Sequence, residues 1–210
     1  MTEIVGIIVD IVGSRRADDR AAVQASVHAM FREVDEIVAP VRPLWSTAGD
    51  EFQAMYSTVA EACVVTTLVR LAAADSETDV RFGIGRGQSH VVSGVADEVS
   101  IYDGSAWWAA RRAIDTVHRL AGRTGPARTW AVDNDDEPAD TNAALLLRDE
   151  IIGAMKPREA RIARAMIGGQ SQAQIAEAEG ITQSAVSQSA RRSGAATLVT
   201  VQSLWMGGRA

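Results

Sequence analysis

The stretch "DVRFGIGRGQ", residues 79–88, decides between two folds. Its glycines stand at Gly83, Gly85 and Gly87. A glycine-rich run marks a dinucleotide-binding α/β fold when it opens a helix as G-x-G-x-x-G. Here Val80, Phe82 and Ile84 alternate straight through the run, so the glycines fall inside a strand pattern. No G-x-x-x-x-G-K-[ST] loop occurs elsewhere. Glycines inside a strand admit a ligand or another backbone at close range, or mark a bulge.

Working outward, "EIVGIIVD" (3–10) is apolar without alternation, as expected of a central strand buried on both faces. Residues 18–38 carry Val23, Val27, Met30, Val34 and Ile37 at helical spacing, with Asp18 or Asp19 suited to cap the start. A hairpin over 44–56, a helix over 58–74, a helix after "YDGS" ending at Gly122 and a short strand "ARTWAV" (127–132) complete the pattern. "SHVVSGVA" reads as another strand or a loop. That order predicts an α+β fold of ferredoxin-like type, with helices on an antiparallel or mixed sheet. The acidic stretch "DNDDEPADTN" reads as a linker, dividing the chain into 1–135 and a helical part, 136–210; the alternative is a solvated loop within one domain.

The formal net charge of −6 hides an asymmetry. From Glu150 onward there are seven Lys and Arg against four Asp and Glu; the preceding residues hold 14 and 23. An acidic body with a mildly basic tail suggests two modules with different partners. The longest uncharged apolar run, Ile4 to Val9, is far too short to span a membrane. The N-terminus lacks a secretory pattern, and the single cysteine, Cys63, has no internal disulfide partner and reads as a packing residue. These features predict a cytoplasmic protein with no membrane partner.

"STAGDEFQAMY" (46–56) places Asp50 and Glu51 at the tip of the hairpin between residues that alternate as if buried. Asp10 ends the first strand. Carboxylates brought together at one sheet edge repel, and burial is costly without compensation. A hard divalent cation resolves this, because Mg²⁺ takes carboxylate oxygens together with substrate phosphates. Asp10 and Asp50 are therefore the first candidate ligands for Mg²⁺ (or Mn²⁺), and Glu51 is either a third or a solvated acid.

"VDIVGS" (9–14) and "TAGDEFQAMY" (47–56) resemble the two metal-binding motifs of class III nucleotidyl cyclases, and "GDEF" resembles the diguanylate cyclase signature. The resemblance implies a nucleoside triphosphate held through metal by the acids. Ser14, Arg15 and Arg16 after the first motif, and Arg111 and Arg112 on the later helix, are candidate phosphate contacts or else solvated residues, Arg111 being the one that the cyclase pattern retains. Two positions depart: Ser46 stands where cyclases carry a base-reading Lys, and Trp107 where they carry a transition-state Asn. Trp107 and Trp108 read as residues packing their helix on the sheet, rather than as base-stacking partners. The isolated histidines, His118 among them, show no ligand spacing. More specifically, the order of "VDIVGSRR", "GDEFQ", "RFGIGRG" and "DGSAWWAAR", followed by a helical tail, resembles the SatD family over nearly the whole chain.

In the tail, "SQAQIAEAEGITQSAVSQSARR" (171–192) puts Ala176, Gly180 and Val186 at the fifth, ninth and fifteenth positions of a helix-turn-helix. A small residue suits the helix contact, glycine the turn, and an aliphatic residue the angle between helices. The pattern resembles sigma-factor region four. The second helix would offer Gln183, Ser184, Ser187 and Gln188 to a DNA groove, with Arg191 and Arg192 on phosphates. Such modules also serve as protein contacts or homodimer interfaces. The expected function is a regulator binding divalent metal and a nucleotide or other phosphate ligand, with DNA as partner. The alternatives are a metal-dependent nucleotidyl or phosphoryl transferase, and an interaction protein with a degenerate site.

Overall fold

The computed structural model describes residues 2–13, 19–47, 51–76, 78–93 and 101–208. Its centre is β1 (Thr2–Ile11), which pairs antiparallel with β3 (Glu51–Tyr56) on one side and β4 (Val80–Ser93) on the other. β2 (Arg42–Ser46) adds outside β3. β4 is longer than the periodicity suggests and runs on through His90 and Val91 to pair antiparallel with β5 (Ile101–Asp103). Along Phe82 to Arg86 it also pairs, in parallel, with β6 (Thr129–Asp133). The result is a mixed six-stranded sheet with eight helices among the described residues.

Alternation along β1 sorts its side chains between two layers. Val5, Ile7, Val9 and Ile11 enter the larger core with α1 (Arg20–Asp35) and α2 (Val59–Ala73). Ile4 and Ile8 pack on the other face, with Trp107 and Ile114 of α3 (Ser105–Thr124). Asp19 caps α1, its carboxylate accepting from the Ala22 N–H at 2.9 Å. Thr58 and Glu61 form a reciprocal capping box on α2.

The strand glycines make room for another backbone, that of α3. A Cβ on Gly85 would stand 2.1 Å from the Ala110 nitrogen and 2.3 Å from the Ala106 carbonyl oxygen. One on Gly83 would stand 2.2 Å from the Ala110 carbonyl oxygen. Gly6, registered against Gly85 in β1, faces the Trp107 ring. Helix and sheet therefore meet backbone to backbone along this seam, which only glycine permits.

Five further helices follow: α4 (Ala139–Gly153), α5 (Pro157–Ile167), α6 (Gln172–Glu179), α7 (Gln183–Ser193) and α8 (Ala195–Trp205). The Asn142 amide clasps β6 by bonding both the N–H and the carbonyl of Ala131. Arg148, buried, reaches Thr66, Thr67, Thr129 and Asp149. Asp149, also buried, accepts the N–H groups of Arg128 at 2.7 Å and Thr129 at 2.8 Å. α2 is thus covered by the sheet on one side and by later helices on the other, and almost every residue in it is buried. Arg161 on α5 ties Asp75 at 2.7 Å to Glu179 on α6, and that guanidinium holds the Glu179 carboxyl below its ordinary value.

Three outcomes follow from this packing. Gly85→Ala is expected to cost about 3 kcal/mol or more in urea unfolding, because the added methyl meets backbone that cannot turn aside. Asp149→Asn is expected to cost about 3–5 kcal/mol by leaving the Arg148 charge buried without its counter-ion. Burial pushes the Cys63 thiol up to about 12. Iodoacetamide at pH 8 should therefore leave native protein unmodified and label it once unfolded in urea; modification of the folded chain would contradict that burial.

Candidate functional site

The register of β1 with its neighbours builds a row of charges at one end of the sheet. Asp10 is directly opposite Glu51 on β3 and Arg81 on β4. Cross-strand partners project to the same face, and here that face carries α3. Two α3 side chains complete the group. Arg111 NH2 approaches Glu51 Oε2 at 2.7 Å, and His118 Nε2 approaches Asp10 Oδ2 at 3.2 Å. Arg81 NH1 reaches the same Asp10 oxygen at 3.4 Å. The carboxylates are partly shielded while Arg111 stands half in solvent, so the group is accessible from outside.

Sequence reasoning identified Asp10, Glu51 and Arg111, and the fold brings these three together. Asp50, Ser14, Arg15 and Arg16 lie outside the described residues. Two members of the group escaped notice. Arg81 occupies the alternate face from Val80 and Phe82, which strand periodicity could have revealed. His118 follows Arg111 by seven residues, two helical turns along the same face, although no ligand motif flags it.

The two tryptophans separate. Trp107 is buried against Trp45 and donates its Nε1–H to Ser89 Oγ at 3.0 Å. Trp108 does not pack the helix on the sheet: it is 63% exposed, with its Nε1–H on Asp103. The indole of Trp107 is therefore committed to the core and offers nothing to a ligand at the row. Ser46, the other departure from the cyclase pattern, lies 3.3 Å from His28 Nε2.

Mg²⁺ favours carboxylate oxygens, and Asp10 and Glu51 present them on one face. Asp10 is already engaged by Arg81, and Glu51 by Arg111. Among the described residues no group of three or more metal-ligating side chains occurs. The donor chemistry suits a hard cation, but the described residues supply only two of the three acids that the sequence motif contains.

A second polar surface lies on α7. Gln183, Ser184, Gln188, Arg191 and Arg192 are exposed, and Ser187 is partly buried. Ser187 accepts from Arg191 NH2 at 3.3 Å, and Arg192 lies 3.8 Å from Glu159. Before this helix, Ser171 and Gln174 cap α6, Gly180 takes the left-handed conformation at φ 63°, and Thr182 caps α7. Among the described residues no helix is long and apolar enough to cross a membrane.

No curated protein matches the chain. A family model described as the SatD family matches residues 4–202, which take in the charged row, the glycine seam and the polar face of α7. The chain belongs to the SatD family.

Proposed function

We propose that this protein is a regulator that binds a divalent metal together with a nucleotide or related phosphate ligand at the charged row, and DNA through the tail. The observation that carries the reading is the juxtaposition of Asp10 and Glu51 beneath Arg111. Acids and a guanidinium at one accessible point suit a ligand that is itself part cation and part anion. Asp10, Asp50 and Glu51 would hold the metal, and Arg111, with Ser14 and Arg15, the phosphate. Bound Mg²⁺ would supply charge neutralisation for the phosphate oxygens. Arg111 can leave Glu51 for a phosphate oxygen without an uncompensated charge, because the metal takes over the carboxylate.

The sheet order β2-β3-β1-β4, with α1 and α2 on one face, supports a ferredoxin-like, cyclase-related arrangement. Burial of Trp107 in place of an amide side chain argues against cyclisation, which needs a positioned ribose and not charge neutralisation alone. The capped α6–α7 pair, with Gly180 at the turn and Val186 buried, supports a helix-turn-helix whose second helix faces a groove.

Mg²⁺ with ATP or GTP is expected to raise Tm in a saturable way, and Asp50→Asn to abolish the rise. Neither nucleotide should yield cyclic AMP or cyclic GMP. Cyclic nucleotide formed with Mn²⁺ by the native protein, and not by Asp50→Asn, would replace this reading with the enzymatic one.

For DNA, Arg191→Ala is expected to weaken binding to all sequences alike and to lower the salt slope by about 1. Gln183→Ala or Gln188→Ala should instead change sequence preference. If the intact protein retards no genomic fragment at low salt, the tail serves protein contact.

A further inference from the structure

A cavity of about 460 Å³ opens where the end of α2, the start of β4, the turn before β6 and the end of α4 converge. Its polar wall is made by Arg70, Arg128 and Asp79, and its apolar wall includes Ala73, Pro126 and Met155. Arg70 is buried. Its NH1 donates to Asp79 at 2.9 Å, while its Nε has no hydrogen-bond partner and lies 3.6 Å from Asp149 Oδ1. Arg128 engages the same Asp79 through Nε and NH2. Asp149 is meanwhile taken up by Arg148 and by two backbone N–H groups.

Among the described residues that line the cavity the charges are two guanidiniums, Arg70 and Arg128, against one carboxylate, Asp79; Arg148 and Asp149 are buried and do not line it. Burial works against the Arg70 charge, and the neighbouring Arg148 and Arg128 add to that pressure, which the two acids oppose. A buried cation is costly without full compensation, and an anion entering the cavity would add compensation to the Arg70 and Arg128 guanidiniums that line it. The space exceeds that needed for one oxyanion, and the apolar wall suits a small organic group beside it.

We infer that this cavity is a binding site for a small phosphomonoester-type anion, held by Arg70 and Arg128 and distinct from the charged row. The back wall gives the site a consequence. Ile152 and Met155 at the end of α4 pack in one core with Ala160 and Ala163 of α5, Ala190 of α7 and Leu198 of α8. An anion bound here bridges the sheet end to the core that seats the polar helix α7.

Inorganic phosphate is the probe, titrated calorimetrically without divalent metal into the full chain carrying Arg111→Gln, so that the phosphate contact assigned to the charged row is removed and a failure of that reading would leave the result untouched. Saturable binding is expected, absent with KCl at matched ionic strength. Adding Arg128→Gln should weaken it about tenfold or more, the worth of one charge-assisted contact. Because Arg128 also braces the turn before β6, Ser76→Asp is the second variant. Ser76 is exposed at the cavity rim, where its hydroxyl donates to the Ala73 carbonyl and accepts from the Thr78 N–H. An aspartate can still accept from Thr78, so the urea midpoint of Ser76→Asp is measured beside its phosphate affinity, which should fall comparably at a retained fold. No saturable binding, or phosphate affinity unchanged in Ser76→Asp, would overturn the inference.

Discussion

Backbone contact between α3 and the sheet governs the rest of this structure. An ordinary helix rests on a sheet through interdigitating side chains, which hold the two backbones apart. Here Gly6, Gly83 and Gly85 remove the side chains beneath it, and Ala106 and Ala110 supply little bulk from above. The gain is close dispersion contact over several turns. The cost is intolerance, since a single methyl would collide with main-chain atoms. The consequence for function is positional. A helix lowered onto the sheet carries Arg111 and His118 within ion-pair distance of acids that project from the strands themselves.

The charged row gains its character from that geometry. Asp10 and Glu51, registered opposite each other, would repel if left alone. Arg81 and Arg111 compensate them from two directions, and His118 Nε2 lies 3.2 Å from Asp10. Exposed pairs of this kind contribute little to stability, so the arrangement is better understood as an exchangeable set of charges than as a brace. The buried pair of Arg148 and Asp149 is different. It is satisfied on nearly every side by Thr66, Thr67, Thr129 and backbone N–H groups, and it pins α4 to the sheet and to α2.

The later helices are therefore joined to the body rather than merely following it. Gln202 on α8 donates to the Val64 carbonyl of α2, and Arg164 on α5 meets Glu33 of α1. Arg161 holds Asp75 and Glu179 at once. Leu71 of α2 and Ile152 of α4 share one core with Ala160 of α5, Ala190 of α7 and Leu198 of α8.

Much was legible in local pattern. Alternation through "RFGIGRG" separated a strand from a nucleotide loop, and helical spacing located α1, α2 and α3. Asp19, one of the two acids suited to cap α1, is the cap that forms, because capping is a short-range hydrogen bond. The scarcity of charge in "VAEACVVTTLVRLAA", with only Glu61 and Arg70, also held a sign that α2 is covered on both sides. The partners of Asp10 were not legible. Arg81 lies 71 residues away in sequence, and His118 farther still, so only strand register and the height of α3 bring them to it. The glycines announced a close approach without saying what approaches, since a missing side chain names no partner. Local periodicity thus determined which elements form, and tertiary packing decided which charges meet, because ion pairing depends on distance in space and leaves no period in the chain.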